Sequence, residues 1–334
     1  MNEDTNLSRE IPPAEILEQL TPYIYQVGVL RAALELEVWA KVASGEDSTE
    51  KIIDTENWDS FGTRMLLDDL CSLKLLVKEG CKYRLTPETE QYLLPGKPTY
   101  LGKYILKDFC WEGNGRLAEA IRTGNRPIGC SATTTESIDY WIAEYSRNCV
   151  APEKYLKECD DMWHALSIQG RSGLRVLDLA CGPAPRSLAL ARTNLGVRVT
   201  LVDWKQILQV AHKFAVDLGI EKQISFLPGD MSCVDFGFSQ YDVAFLGGIA
   251  HFFSPDQNIR LFRKVYDALV DGGTIVIKTF RRENHDPMIP ELWFYAVSAN
   301  GAIYDFQEYK EMLEGAGYTE VVDINPPIKA TKRL

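Results

Sequence analysis

The 334-residue chain predicts an α/β protein, a Rossmann-like doubly wound domain preceded by a smaller, mainly α unit of winged-helix type. Three observations predict it. RVLDLACGPAPR at 175–186 is a short apolar run, a turn of small residues and the start of a helix. A second strand with a terminal acid, VRVTLVDW, follows about twenty residues later. ISFLPGD, YDVAFLGG and TIVIKTF then supply further strands separated by helical stretches. Strands that alternate with helices pair in parallel, because parallel neighbours need a long crossover.

In chain order, PAEILEQLTPYIYQVGVLRAALELEVWAKVASG reads as a helix, a break at Pro22 and a long helix. Val27, Leu30, Ala33, Leu34 and Val38 form an apolar stripe at helical spacing. STEKIIDTENWD, SFGTRMLLDDLCSLKLL and VKEGCKYRLT read as helix, turn, helix and β-wing, the pattern of a DNA-binding module. From Glu46 to Glu90, however, eleven acids face six bases, and Asp68 and Asp69 lie on the second helix, so a phosphate backbone is repelled. YLLPGKPTYLG is a Pro/Gly-rich connector that divides a first domain, 1–100, from a second, 101–334. WEGNGRLAEAIRTGNRP begins the helical layer of the second domain.

The strand–turn–helix at 175–193 is the chemical centre. Ala180, Gly182 and Ala184 let the backbone approach a ligand, and the new helix offers free N–H groups. A dinucleotide site has a third glycine here; Ala184, with Pro183 and Pro185, weakens the anchoring of a pyrophosphate. A ligand with ribose but no phosphate fits better, namely S-adenosylmethionine. Asp203, at the end of VRVTLVD, sits where a carboxylate accepts from both ribose hydroxyls. Asp178, Asp203, Asp230 and His251 fall at the carboxyl ends of four consecutive strands, where open parallel sheets collect ligands.

From about residue 10 to 334 the chain resembles the class I S-adenosylmethionine-dependent O-methyltransferases with an N-terminal winged-helix dimerisation domain, the family of the acetylserotonin, hydroxyneurosporene and plant phenolic enzymes. LDLACGPAP, the Asp203 strand end, PGDM, IAHFFSPDQ with ALVDGGTIVI, EAIRTG and FQEYKEMLEGAGYTEV carry the resemblance. It implies a homodimer with intertwined N-terminal helices. It also implies a cofactor site of Asp178, Ala180, Gly182 (under the methionine part), Asp203 (ribose), Trp204, Asp230 and Met231 (adenine) and Gly247. His251 falls on the family's catalytic base, which takes the proton of an acceptor hydroxyl.

Three positions depart from the family. Phe252 replaces the Asp that follows the base in many plant members, and Gly247 replaces a Lys near the adenine. IVIKTF, with Lys278 and Thr279, lacks the Glu that orients the base. Without a carboxylate the imidazole loses the group that sets its tautomer and raises its basicity. Carbon or nitrogen methylation, non-methylating use of the sulfonium, and a retired enzyme serving as a winged-helix regulator are the competing readings.

Aromatic residues gather where the acceptor belongs. Trp163, Phe252 and Trp293, with His164, are the expected pocket residues, for a hydroxylated aromatic or polyene-like small molecule. His212 reads as a surface residue and His285 as a loop residue. A net charge of −11 argues against nucleic acid, and no apolar run approaches the roughly 20 residues of a membrane span. The polar, acidic N-terminus is unlike a secretion signal. Eight cysteines without C-x-x-C pairs or Cys/His clusters read as reduced thiols of a cytoplasmic protein that holds no metal.

Overall fold

A computed structural model describes residues 14–97, 99–106, 108–126, 137–139, 141, 142, 145, 152–168, 170–284, 291–325 and 327–333. Cys130, Cys149, His285 and the polar N-terminus lie outside them, as does the side chain of Cys110. The chain divides into two compact units, 1–106 and 107–334.

The first unit contains helices α1 (Glu15–Glu35), α2 (Val38–Ser44), α3 (Thr49–Glu56) and α4 (Ser60–Ser72), the hairpin β1 (Leu76–Glu79) and β2 (Lys82–Leu85), then α5 (Pro87–Tyr92) and α6 (Gly102–Ile105). Ser48 and Asp59 cap α3 and α4 through their side chains. Pro22 does not break α1. It leaves one carbonyl of the second turn without an N–H, and residues 14–27 are exposed, so water can replace the missing donor. The break comes instead at Glu37, which adopts a left-handed φ of 53° between α1 and α2. The apolar stripe is therefore divided. Ala33, Leu34 and Val38 pack into this unit's own core with Trp39, Ile52, Leu67 and Leu70, whereas Val27 is exposed. Asp68 binds Lys78 of the hairpin at 2.7 Å, and this bond holds its carboxyl below the usual range.

The second unit opens with α7 (Asp108–Gly115), α8 (Leu117–Thr123) and α9 (Pro152–Ala165). Strands and helices then alternate: β3 (Arg175–Leu179), α10 (Pro185–Thr193), β4 (Arg198–Asp203), α11 (Lys205–Asp217), β5 (Ile224–Pro228), β6 (Tyr241–Gly247), α12 (Pro255–Ala268), β7 (Leu269–Lys278), α13 (Glu291–Val297), α14 (Phe306–Gly315), β8 (Tyr318–Asp323) and β9 (Ile328–Lys332). The sheet order is β5-β4-β3-β6-β7-β9-β8, with β9 antiparallel to both neighbours and the rest parallel. The order reverses between β3 and β6, which opens a crevice at their carboxyl ends.

Strand residues alternate between two cores. Val176, Val199, Val243 and Val276 face the layer of α9, α10 and α11. Leu177, Ala244, Ile275 and Ile277 face α12 and α14. This two-sided burial explains why these strands read as near-continuous apolar runs. Two boundaries differ from the sequence expectation. The Asp271-Gly272-Gly273 turn is absorbed into β7, as an irregularity in its pairing with β6. β5 stops at Pro228, two residues before Asp230.

Candidate cofactor and acceptor site

The turn between β3 and α10 places left-handed residues at alternate positions: Ala180 (φ 48°), Gly182 (φ 56°) and Ala184 (φ 53°). Alanine pays roughly 1–2 kcal/mol for this conformation, which persists only where surrounding contacts fix it. One such contact is the Gly182 N–H, which donates to Asp203 Oδ2 at 2.9 Å, while the Trp204 N–H donates to Oδ1 at 2.7 Å. Two backbone donors thus aim the Asp203 carboxylate, and each oxygen keeps a lone pair for a ligand hydroxyl. Burial pushes this carboxyl up to about 6 against the lowering effect of those bonds.

Asp178 lies one residue inside β3 and is 1% exposed. Ser187 donates to its Oδ2 at 2.6 Å, but Oδ1 has no hydrogen-bond partner among the described residues. Burial pushes it up to about 7. Asp230 is exposed, and its Oδ1 accepts from both the N–H and the hydroxyl of Ser232, at 2.8 and 2.7 Å. Lys264 of α12 donates to the Met231 carbonyl at 2.9 Å and so fixes this turn.

These strand ends open on a cavity of about 530 Å3. Of the residues singled out in the sequence, Ala180, Asp203, Trp204, Asp230, Met231, Gly247 and Phe252 line it. Gly182 does not, because the ring of Tyr145 lies against it; a Cβ at that position would stand 2.9 Å from the ring. Nor does Asp178, which is buried. Phe253, an expected aromatic beside His251, joins the wall, and so do Trp141 and Tyr145, which stack at 5.7 Å and which no sequence signal marks. The sequence also concealed a polar face of α12. Gln257, Arg260, Leu261 and Lys264 recur at helical spacing and line the same cavity, a pattern that the amphipathic signal hides because it attends to the buried side.

Two expected acceptor residues belong elsewhere. Trp163 is fully buried in the core, where its indole N–H donates to the Arg186 carbonyl at 2.6 Å and its ring packs on Phe245. An indole in a dry core needs such a partner, and a core packed around it leaves no room for a ligand. His164 is exposed on α9, with Nδ1 3.0 Å from the Asp160 carbonyl. Trp293 meets Phe252 edge-on at 6.4 Å and buttresses the wall from behind. His212 is exposed against Phe226.

His251 sits in a single-turn helix, 250–252, directly after β6. It is 1% exposed and does not line the cavity, although its neighbour Phe252 does. Phe252, Phe280 and Phe294 surround its ring at 4.5–5.2 Å. Its Nδ1 lies 2.9 Å from Thr279 Oγ1, so a hydroxyl occupies the place of the missing carboxylate. Burial alone lowers the imidazole to about 3. His251 thus lies off the cavity wall, bonded to a hydroxyl and not to a carboxylate.

The polar groups fit an adenosine ligand with an amino-acid arm. Asp203 presents aimed lone pairs, and Asp230 and Met231 flank a second position. Comparison with known proteins agrees. A family model described as "Methyltransferase domain" matches residues 176–273. Over 319 residues the chain is 26% identical to the tetracenomycin polyketide synthesis 8-O-methyl transferase TcmO of Streptomyces glaucescens, with 92% of each chain covered. It is 27% identical to the L-tyrosine C(3)-methyltransferase of Streptomyces lavendulae over 220 residues, which cover 63% of this chain and 60% of that relative. The human N-acetylserotonin methyltransferase structure, solved with S-adenosylmethionine, shares the fold at a TM-score of 0.65 and 21% identity, covering 98% of this chain and 99% of that one.

Proposed function

Because this chain belongs to the class I S-adenosylmethionine-dependent methyltransferases of the acetylserotonin and plant O-methyltransferase type, we propose that it methylates a hydroxyl of an aromatic small molecule. It is an enzyme, and S-adenosylmethionine is its cofactor. The observation that carries the acceptor reading is the aromatic wall of Trp141, Tyr145, Phe252 and Phe253 around the cavity that Asp203 and Gly247 also line. Flat, mostly apolar ligands suit such a wall, and few polar groups there can orient them.

When bound, the cofactor supplies an activated methyl group: its S–CH3 bond breaks with the electron pair left on sulfur, while the acceptor's lone pair forms the new bond to carbon. Asp203 would hold the ribose, and Asp230 and Met231 the adenine. The chain's remaining task is alignment of the acceptor and exclusion of water. A second reading, transfer to a ring carbon, is favoured by Thr279 at the position of the carboxylate, since an electron-rich carbon needs no base before attack. Titration with S-adenosylhomocysteine, then mass and NMR analysis of a phenol panel, tests both. A 14-dalton gain on oxygen supports the first reading, the same gain on carbon the second, and no binding of S-adenosylhomocysteine contradicts the site.

The homodimer belongs to the same proposal. Ile16, Leu17, Leu20, Tyr23, Ile24 and Tyr25 of α1 are 59–72% exposed, a continuous apolar surface that monomers rarely leave in water. Light scattering at micromolar concentration should give twice the chain mass, and a stable monomer would contradict it. The acidic winged-helix-like unit then serves as a dimer scaffold and not as a nucleic-acid reader. The unbridged Cys71, Cys81, Cys159, Cys181 and Cys233 support a reducing, cytoplasmic setting. Among the described residues no helix is long and apolar enough to cross a membrane.

A further inference from the structure

Gln257, Arg260 and Lys264, on one face of α12, bring hydrogen-bond donors to the cavity, whereas Asp203 and Asp230 at the strand ends bring acceptors. Gln257 belongs to the capping box at the start of this helix. The Ser254 hydroxyl accepts from the Gln257 N–H at 3.3 Å, and the Gln257 side chain returns to the Ser254 N–H at 2.9 Å. A backbone N–H can only donate, so the amide atom that meets it is the oxygen, Oε1. The two hydrogens on Nε2 are therefore turned away from the cap. Among the described residues nothing accepts them, and the half-buried side chain lines the cavity.

The other two donors are committed or loosely held. Lys264 donates to the Met231 carbonyl at 2.9 Å and stands over the Phe236 ring at 4.3 Å. Arg260 is exposed, and fixing so long a side chain on a ligand costs rotamer entropy. Gln257 is ordered before any ligand arrives, because the capping box already holds its amide. It precedes Lys264 by two helical turns, about 10 Å along the axis from the side chain that ties α12 to the Asp230–Met231 turn. Asp230 faces the same cavity, with Oδ1 filled by Ser232 and Oδ2 accepting nothing among the described residues. A flat ring held between Asp230 and Gln257 therefore meets an acceptor at one edge and a donor at another.

Adenine carries both kinds of edge, an amino group that donates and ring nitrogens that accept. We propose that Gln257 Nε2 donates to a ring nitrogen of the cofactor's adenine, opposite in sense to the bond that Asp230 Oδ2 accepts from the amino group. The proposal rests on the placing of adenine at Asp230 and Met231. The two residues read the ring by polarity, so a flat ring without accepting nitrogens loses the Gln257 bond. Gln257 is a binding and specificity residue, and it takes no part in the transfer of the methyl group.

Calorimetry with two probes tests this: S-adenosylhomocysteine, and methylthioadenosine, which keeps the adenosine and lacks the amino-acid arm. Gln257→Glu keeps one oxygen for the Ser254 N–H and adds a negative charge at a helix N-terminus, so its melting temperature should not fall. Its second oxygen offers the cavity an acceptor where the wild type offers a donor. Both probes should bind this variant about tenfold more weakly. Gln257→Leu, which offers neither, should also weaken both, by about threefold. Unchanged affinity for both probes in either variant overturns the proposal. A loss confined to S-adenosylhomocysteine does so too, because it would place the donor on the amino-acid arm. Failure of the underlying adenine placement shows separately, as unchanged affinity for both probes in Asp230→Ala.

Discussion

The two ends of the cavity are built from different materials. At the β3–β5 end, groups are aimed by the backbone: Asp203 by two N–H donors, Asp230 by the Ser232 turn. At the β6–β7 end they are aimed by side chains from distant segments, with His251 bonded to Thr279 and Thr279 to Tyr309. The backbone-aimed Asp203 stays ionisable within reach of neutral pH, because N–H donors offset part of its burial. Asp203 sits near 6. The side-chain-aimed imidazole has no such compensation and is held neutral down to about 3. The first end is suited to holding polar ligand groups, and the second to forming a dry aromatic wall.

The largest effect should come from truncating the buried imidazole. His251→Ala should destabilise the fold by about 2–4 kcal/mol in denaturant unfolding, because it leaves a hole among Phe252, Phe280 and Phe294 and takes a partner from Thr279. Unchanged stability would break the comparison at this end. At the other end, Asp203→Ala should weaken S-adenosylhomocysteine binding by about 1.5–3 kcal/mol, measured by calorimetry, since it removes hydrogen bonds to a charged group. Unchanged affinity in a folded protein would sink the ribose assignment.

How much of each end is legible in the sequence follows the same division. LDLACGPAP and the Asp203 strand end announce strand, turn and ligand together, because local chain geometry dictates all three. The order of the sheet also follows from alternating elements. Trp163 and His164 were misplaced because a helix's sequence does not say which of two adjacent residues faces inward. Tyr309 lies thirty residues beyond Thr279, and nothing local joins them. Tyr145 and Trp141 enter the wall through tertiary packing alone.

Smaller effects sharpen the contrast through pH. Asp203 must be ionised to accept from two hydroxyls, so affinity for S-adenosylhomocysteine should fall as pH drops below about 6, and Asp203→Asn should abolish that dependence. Asp178 gives the least, and a stability effect of opposite sign. Its folded value of about 7 exceeds the ordinary 3.8, so the folded state binds the extra proton between them and stability falls as pH rises through that window. The melting-temperature difference between Asp178→Asn and wild type should therefore be more favourable at pH 8 than at pH 5, and no change between the two would remove Asp178 from the set of strained buried acids.

The most direct test is the pH dependence of turnover at saturating cofactor, measured with a series of phenols of graded acidity. If burial holds the His251 imidazole neutral throughout this range, no common limb should stand in the histidine range. A limb near 6.5 that stays in place for every acceptor, and disappears in His251→Gln, would contradict this and restore the imidazole as the base.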